Sequence, residues 1–241
     1  MEYTIRKSKR ASHVWLKLSD TGELVIVVPQ GFDMRRVPGI VAGRSKWIIR
    51  TRQRLALTRS AALPAGPVAL PSTVVLPAIG REWTVQYKQT TAARVSAVER
   101  GDDMLLVSGA VTDVEMCRRA LIRWLLRVAN RHLPPRLEAI AAAEKLALGR
   151  AAVRFQRTRW ASCSRSGTIS LNLRLLFVAP ELVRHIMLHE LCHTRCMNHS
   201  ERFWQLLALH DPDWRDARRR LRRAWLDTPA WLTQPLVPFC K

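Results

Sequence analysis

The amino-acid sequence predicts an α+β fold, a β-rich N-terminal region with one helix (residues 1–110) followed by a helix-dominated domain (residues 111–241). Period-two runs punctuated by Gly and Pro crowd the first region, whereas 3.6-residue periodicity dominates the second. Strands early and helices late argue for segregated α+β architecture over a doubly wound sheet. The string HELCH at 189–193 sits inside one of the late helical patterns.

Taken in order, His13, Trp15 and Lys17 alternate with Val14, Leu16 and Leu18, Thr21-Gly22 supplies a turn, and Leu24 to Val28 is a β-branched run closed by Pro29. That is a hairpin. From Asp33 to Leu57 the spacing of Val37, Ile40, Val41, Trp47 and Ile48 predicts a helix, with Pro38-Gly39 near its start. Residues 61–71 hold Pro64, Gly66, Pro67 and Pro71 and read as a linker. Strands are expected at Thr73–Leu76, Glu82–Lys88, Arg94–Val98 and Met104–Val107, separated by Gly80 and Gly101. A long helical pattern runs from Val114 to His132 and resumes after Pro134-Pro135 as far as Leu148. Ala152–Gln156 and Thr168–Leu173 are strand-like and flank RTRWASCSRSG; helices are expected at Pro180–Met197, Ser200–Leu209 and Pro212–Leu226. No internal repeat is present.

Composition narrows the function classes. With 48% hydrophobic residues the chain can bury a core, which excludes a disordered protein. The basic N-terminus lacks the apolar segment of a secretory signal, and no stretch approaches the roughly 20 apolar residues of a membrane span. A soluble, cytoplasmic protein is expected. Its five cysteines, Cys117, Cys163, Cys192, Cys196 and Cys240, include no CxxC pair, so free thiols are expected in place of a disulfide framework or zinc ribbon. The formal charge of +21, mostly arginine, favours anionic partners, nucleotide or nucleic acid among them.

The segment HELCHTRCMNHS, residues 189–200, carries the chemistry. Residues four apart share a helix face, so His189 and His193 can bind one metal ion together. Glu190 is offset by about 100°, beside the ion, where it can deprotonate water as a general base. Three protein ligands leave zinc one position for that water. On an unbroken helix His199 would point about 120° away, so it reaches the metal only if the helix stops and the chain doubles back. Asn198 tolerates the left-handed conformation of such a stop, and Ser200 offers the next N-cap. Other readings stand beside this one. The histidines can be ordinary members of an amphipathic helix, Cys192 and Cys196 share their face and would suit a mixed structural site, and Glu201 is an alternative third ligand.

RWASCSRSGTISLNLRLL followed by HELCHTRCMNHSERFW resembles the YgjP-like metal-dependent hydrolases, a zincin group related to SprT-like and WLM metallopeptidases. The likeness extends over most of the chain, including Lys46-Trp47-Ile48 in the N-terminal block. It implies a zincin-like C-terminal domain with Zn2+ on His189, His193 and His199 and catalytic Glu190. The sequence departs at Ala161, where the family has glycine between Trp and Ser. By the same resemblance an edge strand over the helix holds the substrate backbone, and Thr168–Leu173 is the candidate. Ser162, Ser164 and Asn172 are candidate hydrogen-bond donors there. Trp160 reads as core, and Phe203 with Trp204 as the apolar face behind His199. Arg157 or Arg159, if facing the metal, would suit a phosphate-bearing substrate. Two arginine runs stand out, Arg119, Arg123 and Arg127 at helical spacing and Arg215, Arg218, Arg219, Arg220, Arg222 and Arg223 on the last helix; such residues are most often solvated.

The leading expectation is zinc-dependent hydrolysis of a peptide or protein substrate. The alternatives are zinc-dependent hydrolysis of nucleotides or other phosphoanhydrides, and a basic nucleic-acid-binding protein with a structural zinc.

Overall fold

The computed structural model describes residues 2–9, 11–19, 22–45, 47–53, 69–225 and 227–233. The architecture is α+β, in two compact units, Met1–Pro67 and Val68–Lys241.

In the first unit β1 (Tyr3–Ser8), β2 (Trp15–Leu18) and β3 (Leu24–Pro29) form a sheet in the order β1-β3-β2. β2 and β3 are the expected hairpin, Trp15 opposite Val27, with Gly22 at φ +85° in the turn. β1 is an addition to the sequence reading; it runs parallel to β3, and its charged side chains blur the alternation. Leu24, Ile26 and Val28 point inward from alternate positions and pack with Val37, Val41 and Ile48. A 3₁₀ turn at Met34–Arg36, capped by the Asp33 carboxylate on the Arg35 amide, leads into α1 (Val37–Gly43). Pro38 lies in the first turn, where its missing N–H costs nothing. Residues 47–53 are again helical; 54–57 of the expected helix and 61–68 of the expected linker lie outside the described residues.

The second unit opens on a four-stranded sheet, β4 (Thr73–Leu76), β5 (Arg81–Gln89), β6 (Ser96–Arg100) and β7 (Met104–Gly109), in the order β4-β5-β7-β6. These strands precede residue 110 and pack in the same unit as the HELCH segment. Against them lies α2 (Val114–Ala143), started by the Asp113 carboxylate on the Met116 amide at 2.9 Å. Trp124 from this helix meets Trp83 edge to face at 5.3 Å. The expected interruption at Pro134-Pro135 does not occur: the helix runs through both prolines. Leu133 and Leu137 are fully buried beside them, and Arg136 donates to the carbonyls of Ala78 (2.9 Å) and Pro180 (2.8 Å). Tertiary packing there outweighs the proline penalty.

A second sheet carries β8 (Arg150–Arg154), β9 (Ala161–Cys163) and β10 (Thr168–Asn172) in the order β8-β10-β9. This corrects the sequence reading of an edge at Thr168–Leu173. That strand is central, because part of RTRWASCSRSG folds into a strand of its own and covers it, Ser162 opposite Ser170. Four helices follow: α3 (Pro180–Cys192), α4 (Glu201–His210), α5 (Trp214–Ala224) and α6 (Ala230–Thr233). No helix among the described residues is long and apolar enough to cross a membrane.

Candidate active site

α3 is buried along most of its length through Leu182, Val183, Ile186, Met187, Leu188 and Leu191. His189 lies on its remaining face. The helix ends at Cys192, short of the expected Met197, with His193 as its C-cap. The stop is made without Asn198: among the described residues the only non-glycine at positive φ is Lys145. A tight turn does the work, with the Thr194 amide donating to Leu191 O at 3.0 Å and the Cys196 amide to Cys192 O at 2.9 Å. The Arg195 amide donates to Cys192 O as well, and the Thr194 hydroxyl to Leu191 O. Ser200 then occupies the N-cap of α4 in extended conformation, though its hydroxyl makes no cap bond.

This reversal carries His199 back over α3, so that its Nε2 lies 3.0 Å from Nε2 of His189. Ligand atoms of His189, His193 and His199 all lie within 4.8 Å of one another. Nitrogen ligands of one first-row metal ion sit about 3 Å apart, so the three rings are close enough to share an ion. His193 donates from Nδ1 to Cys196 O at 3.0 Å, which fixes the ring and leaves Nε2 free for a ligand. Phe203 stacks on His193 at 4.5 Å and Trp204 on His199 at 5.4 Å, so α4 backs the site with aromatic surface. Burial, and after it the neighbouring His193 and His199, push His189 down to about 3. A neutral imidazole is the form a metal binds. Cys192, Cys196 and Glu201 stand outside the cluster.

Glu190 is 7% exposed. Burial raises its carboxyl to about 7, offset in part by a hydrogen bond from the Cys163 amide and by the charge of Arg159. The ladder of β9 explains that bond. The amides of Ser164 and Asn172 pair with Thr168 O and Trp160 O, so residues 160, 162 and 164 turn their backbone groups toward β10. Backbone groups of Ala161 and Cys163 therefore point away from β10, along a free edge. A cavity of about 490 Å³ opens in front of it, lined by Arg159, Trp160, Ala161, His185, Ile186, His189, Glu190, His199, Trp204, Arg218 and Leu221.

The structure brings His189, Glu190, His199 and Arg159 to this cavity, with Trp160 and Trp204, and leaves Arg157, Ser162, Ser164 and Asn172 outside it. Arg157 is exposed, and its carbonyl accepts from Arg174 at 3.3 Å. Ser162 lies in β9 opposite Ser170, and Ser164 accepts the Thr168 amide in the turn between β9 and β10. Asn172 is fully buried; it donates to Gln156 O and Arg159 O, both at 2.8 Å, and accepts from the Arg174 amide. Its amide is spent on holding the loop that delivers Arg159 and Trp160.

Three lining features were missed. His185, one helical turn before His189, is held through Nδ1 by Asp211; i, i+4, i+8 spacing with His189 and His193 was the available signal. Arg218 was legible only as one arginine of a run. The free edge was hidden because Ala161–Cys163 is three residues long.

The family model for the YgjP-like metallopeptidase domain matches residues 12–224. Among solved structures the chain is similar to the metallopeptidase zymogen jannalysin of Methanocaldococcus jannaschii, at 19% identity over 39% of this chain and 96% of that one, with a TM-score of 0.35. It is also similar to the metallopeptidase zymogen abylysin of Pyrococcus abyssi, at 23% identity over 37% and 90% of the two chains, with a TM-score of 0.34. No curated protein matches.

Proposed function

The chain belongs to the YgjP-like metallopeptidase family, and from that premise we propose that it hydrolyses peptide bonds with zinc held by His189, His193 and His199 and with Glu190 as general base. One observation carries the reading: three imidazoles converge on one point at the wall of a cleft, and a buried carboxylate from the same helix faces that cleft. The all-imidazole donor set suits zinc over the oxygen-seeking magnesium or calcium. When bound, the metal supplies a Lewis-acid centre that polarises the scissile carbonyl and acidifies water. Glu190 takes the proton of the attacking water and passes it to the departing amine nitrogen. The Cys163 amide holds the carboxylate in place. Ala161, with its N–H and C=O turned outward, receives the substrate backbone as an added strand.

Metal analysis of the wild type beside His199→Ala tests the ligand set; unchanged zinc content in the variant would refute it. Chelation is expected to abolish peptide hydrolysis and zinc to restore it. A second reading, hydrolysis of a phosphoanhydride, draws on Arg159 in the cleft. Zinc-dependent phosphate release from nucleoside triphosphates, with no cleavage across a peptide library, would favour it.

A further inference from the structure

Two guanidinium groups, Arg159 and Arg218, line the cleft that holds His189, Glu190 and His199. Among the described residues, neither makes an ion pair within 4 Å or a side-chain hydrogen bond. The arginines beside Arg218 on α5 behave differently: Arg219 pairs with Asp216 at 2.8 Å and Arg220 with Glu181. Arg218 instead lies over the Trp204 ring at 5.1 Å, and Trp204 is itself stacked on His199. That stacking orients a planar donor fork beside the metal ligands without using its hydrogen bonds. Arg159 enters from the opposite element, the loop before β9, near Glu190. Among the described residues Glu190 is the only acidic one lining the cavity, and the other walls are apolar or imidazole.

We infer that the cleft selects peptides bearing a carboxylate close to the scissile bond, received by Arg159 and Arg218 as charge-assisted hydrogen bonds. The inference rests on the peptidase reading above and adds its substrate class. A guanidinium with no ion pair within 4 Å among the described residues gains a bidentate carboxylate without breaking an internal pair. A lysine at the same substrate position meets two like charges. The carboxylate has two sources, an acidic side chain or a free C-terminus.

Four peptides of one sequence separate them: Glu beside the scissile bond with an amidated C-terminus, Gln there with a free C-terminus, Gln with an amide, and Lys with an amide. At least one carboxylate peptide is expected to exceed the neutral one in kcat/KM by about tenfold, with the Lys peptide slowest. Arg218→Gln and Arg159→Gln are expected to shrink that ratio, and Arg218→Glu to turn it toward Lys. Arg222→Gln, on the same helix but outside the cavity, is the control for the general basic field. An equal loss of preference in Arg222→Gln would overturn the inference. Binding gives a second readout: Glu190→Gln protein, zinc-loaded, is titrated with each peptide while tryptophan fluorescence is followed. Equal affinity for the Glu, free-carboxylate and neutral peptides would overturn the inference alone. Failure to cleave any peptide would overturn the peptidase reading as well.

Discussion

The two sheets of the larger unit end in edges that are treated in opposite ways. On the four-stranded sheet the outward carbonyls of Val95 and Ala97, at and beside β6, accept from Arg123 (2.7 Å) and Arg127 (2.6 Å) of α2. Arg119 of the same stripe pairs with Glu115. That edge is sealed by its own chain. On the three-stranded sheet Ala161 of β9 turns its outward groups to the cleft, and the Cys163 amide faces the Glu190 carboxylate. An unpaired edge is an aggregation hazard that proteins normally cover. An edge left open beside three clustered imidazoles and a buried carboxylate fits one kept for an extended substrate. Arginine likewise has two uses: in the α2 stripe it completes the fold, and in the cleft it remains without an ion-pair partner.

The largest effect is expected from Glu190→Gln. The amide oxygen of Gln can still accept from the Cys163 N–H, so β9 stays in place while the proposed general base is lost. Peptide hydrolysis should fall by about 10²–10⁴-fold with zinc content unchanged; wild-type turnover would remove Glu190 from the chemistry. A proline pair then probes the open edge. At Ser162 the lost N–H belongs to the ladder with Ser170, so Ser162→Pro should destabilise the fold by about 1–3 kcal/mol in denaturant unfolding. At Ala161 the N–H points outward, so Ala161→Pro should keep its melting temperature and lose about tenfold in kcat/KM on extended peptides. Equal destabilisation by the two prolines would contradict the register given above.

The sealed edge gives a smaller and purely structural effect. Arg123→Ala leaves the Val95 carbonyl without its donor and should cost about 1–2 kcal/mol in unfolding, with kcat/KM unchanged. Exposure of that edge should also raise self-association in sedimentation. A drop in peptidase activity at constant stability would mean that the two edges are coupled.

What the sequence made legible follows the range of each signal. Hairpin β2–β3, the strands before α2 and the His189–His193 pairing depend on local spacing, and all are present in the fold. Local spacing also marks Pro134 and Pro135 as breakers, but Arg136 and the buried Leu133 and Leu137 override them through residues distant in sequence. β9 is short and polar, with no period to read, yet it decides which strand is the edge. Arg218 could not be singled out from its neighbours, because pairing with Asp216 and Glu181 distinguishes Arg219 and Arg220 only in three dimensions.

The smallest effect is expected at Asn198, and it bears on how His199 is delivered. If the reversal depended on a left-handed residue, Asn198→Ala would strain the turn by about 1 kcal/mol. The turn is instead closed by Thr194, Arg195 and Cys196 amides on Leu191 and Cys192 carbonyls, and Asn198 has negative φ. Asn198→Ala should therefore change stability by less than about 0.5 kcal/mol and leave zinc content intact. Thr194→Val, which removes the hydroxyl bond to Leu191 O, should do more than Asn198→Ala in the same unfolding assay. The opposite ranking would place the helix stop at Asn198 and make the approach of His199 to His189 depend on it.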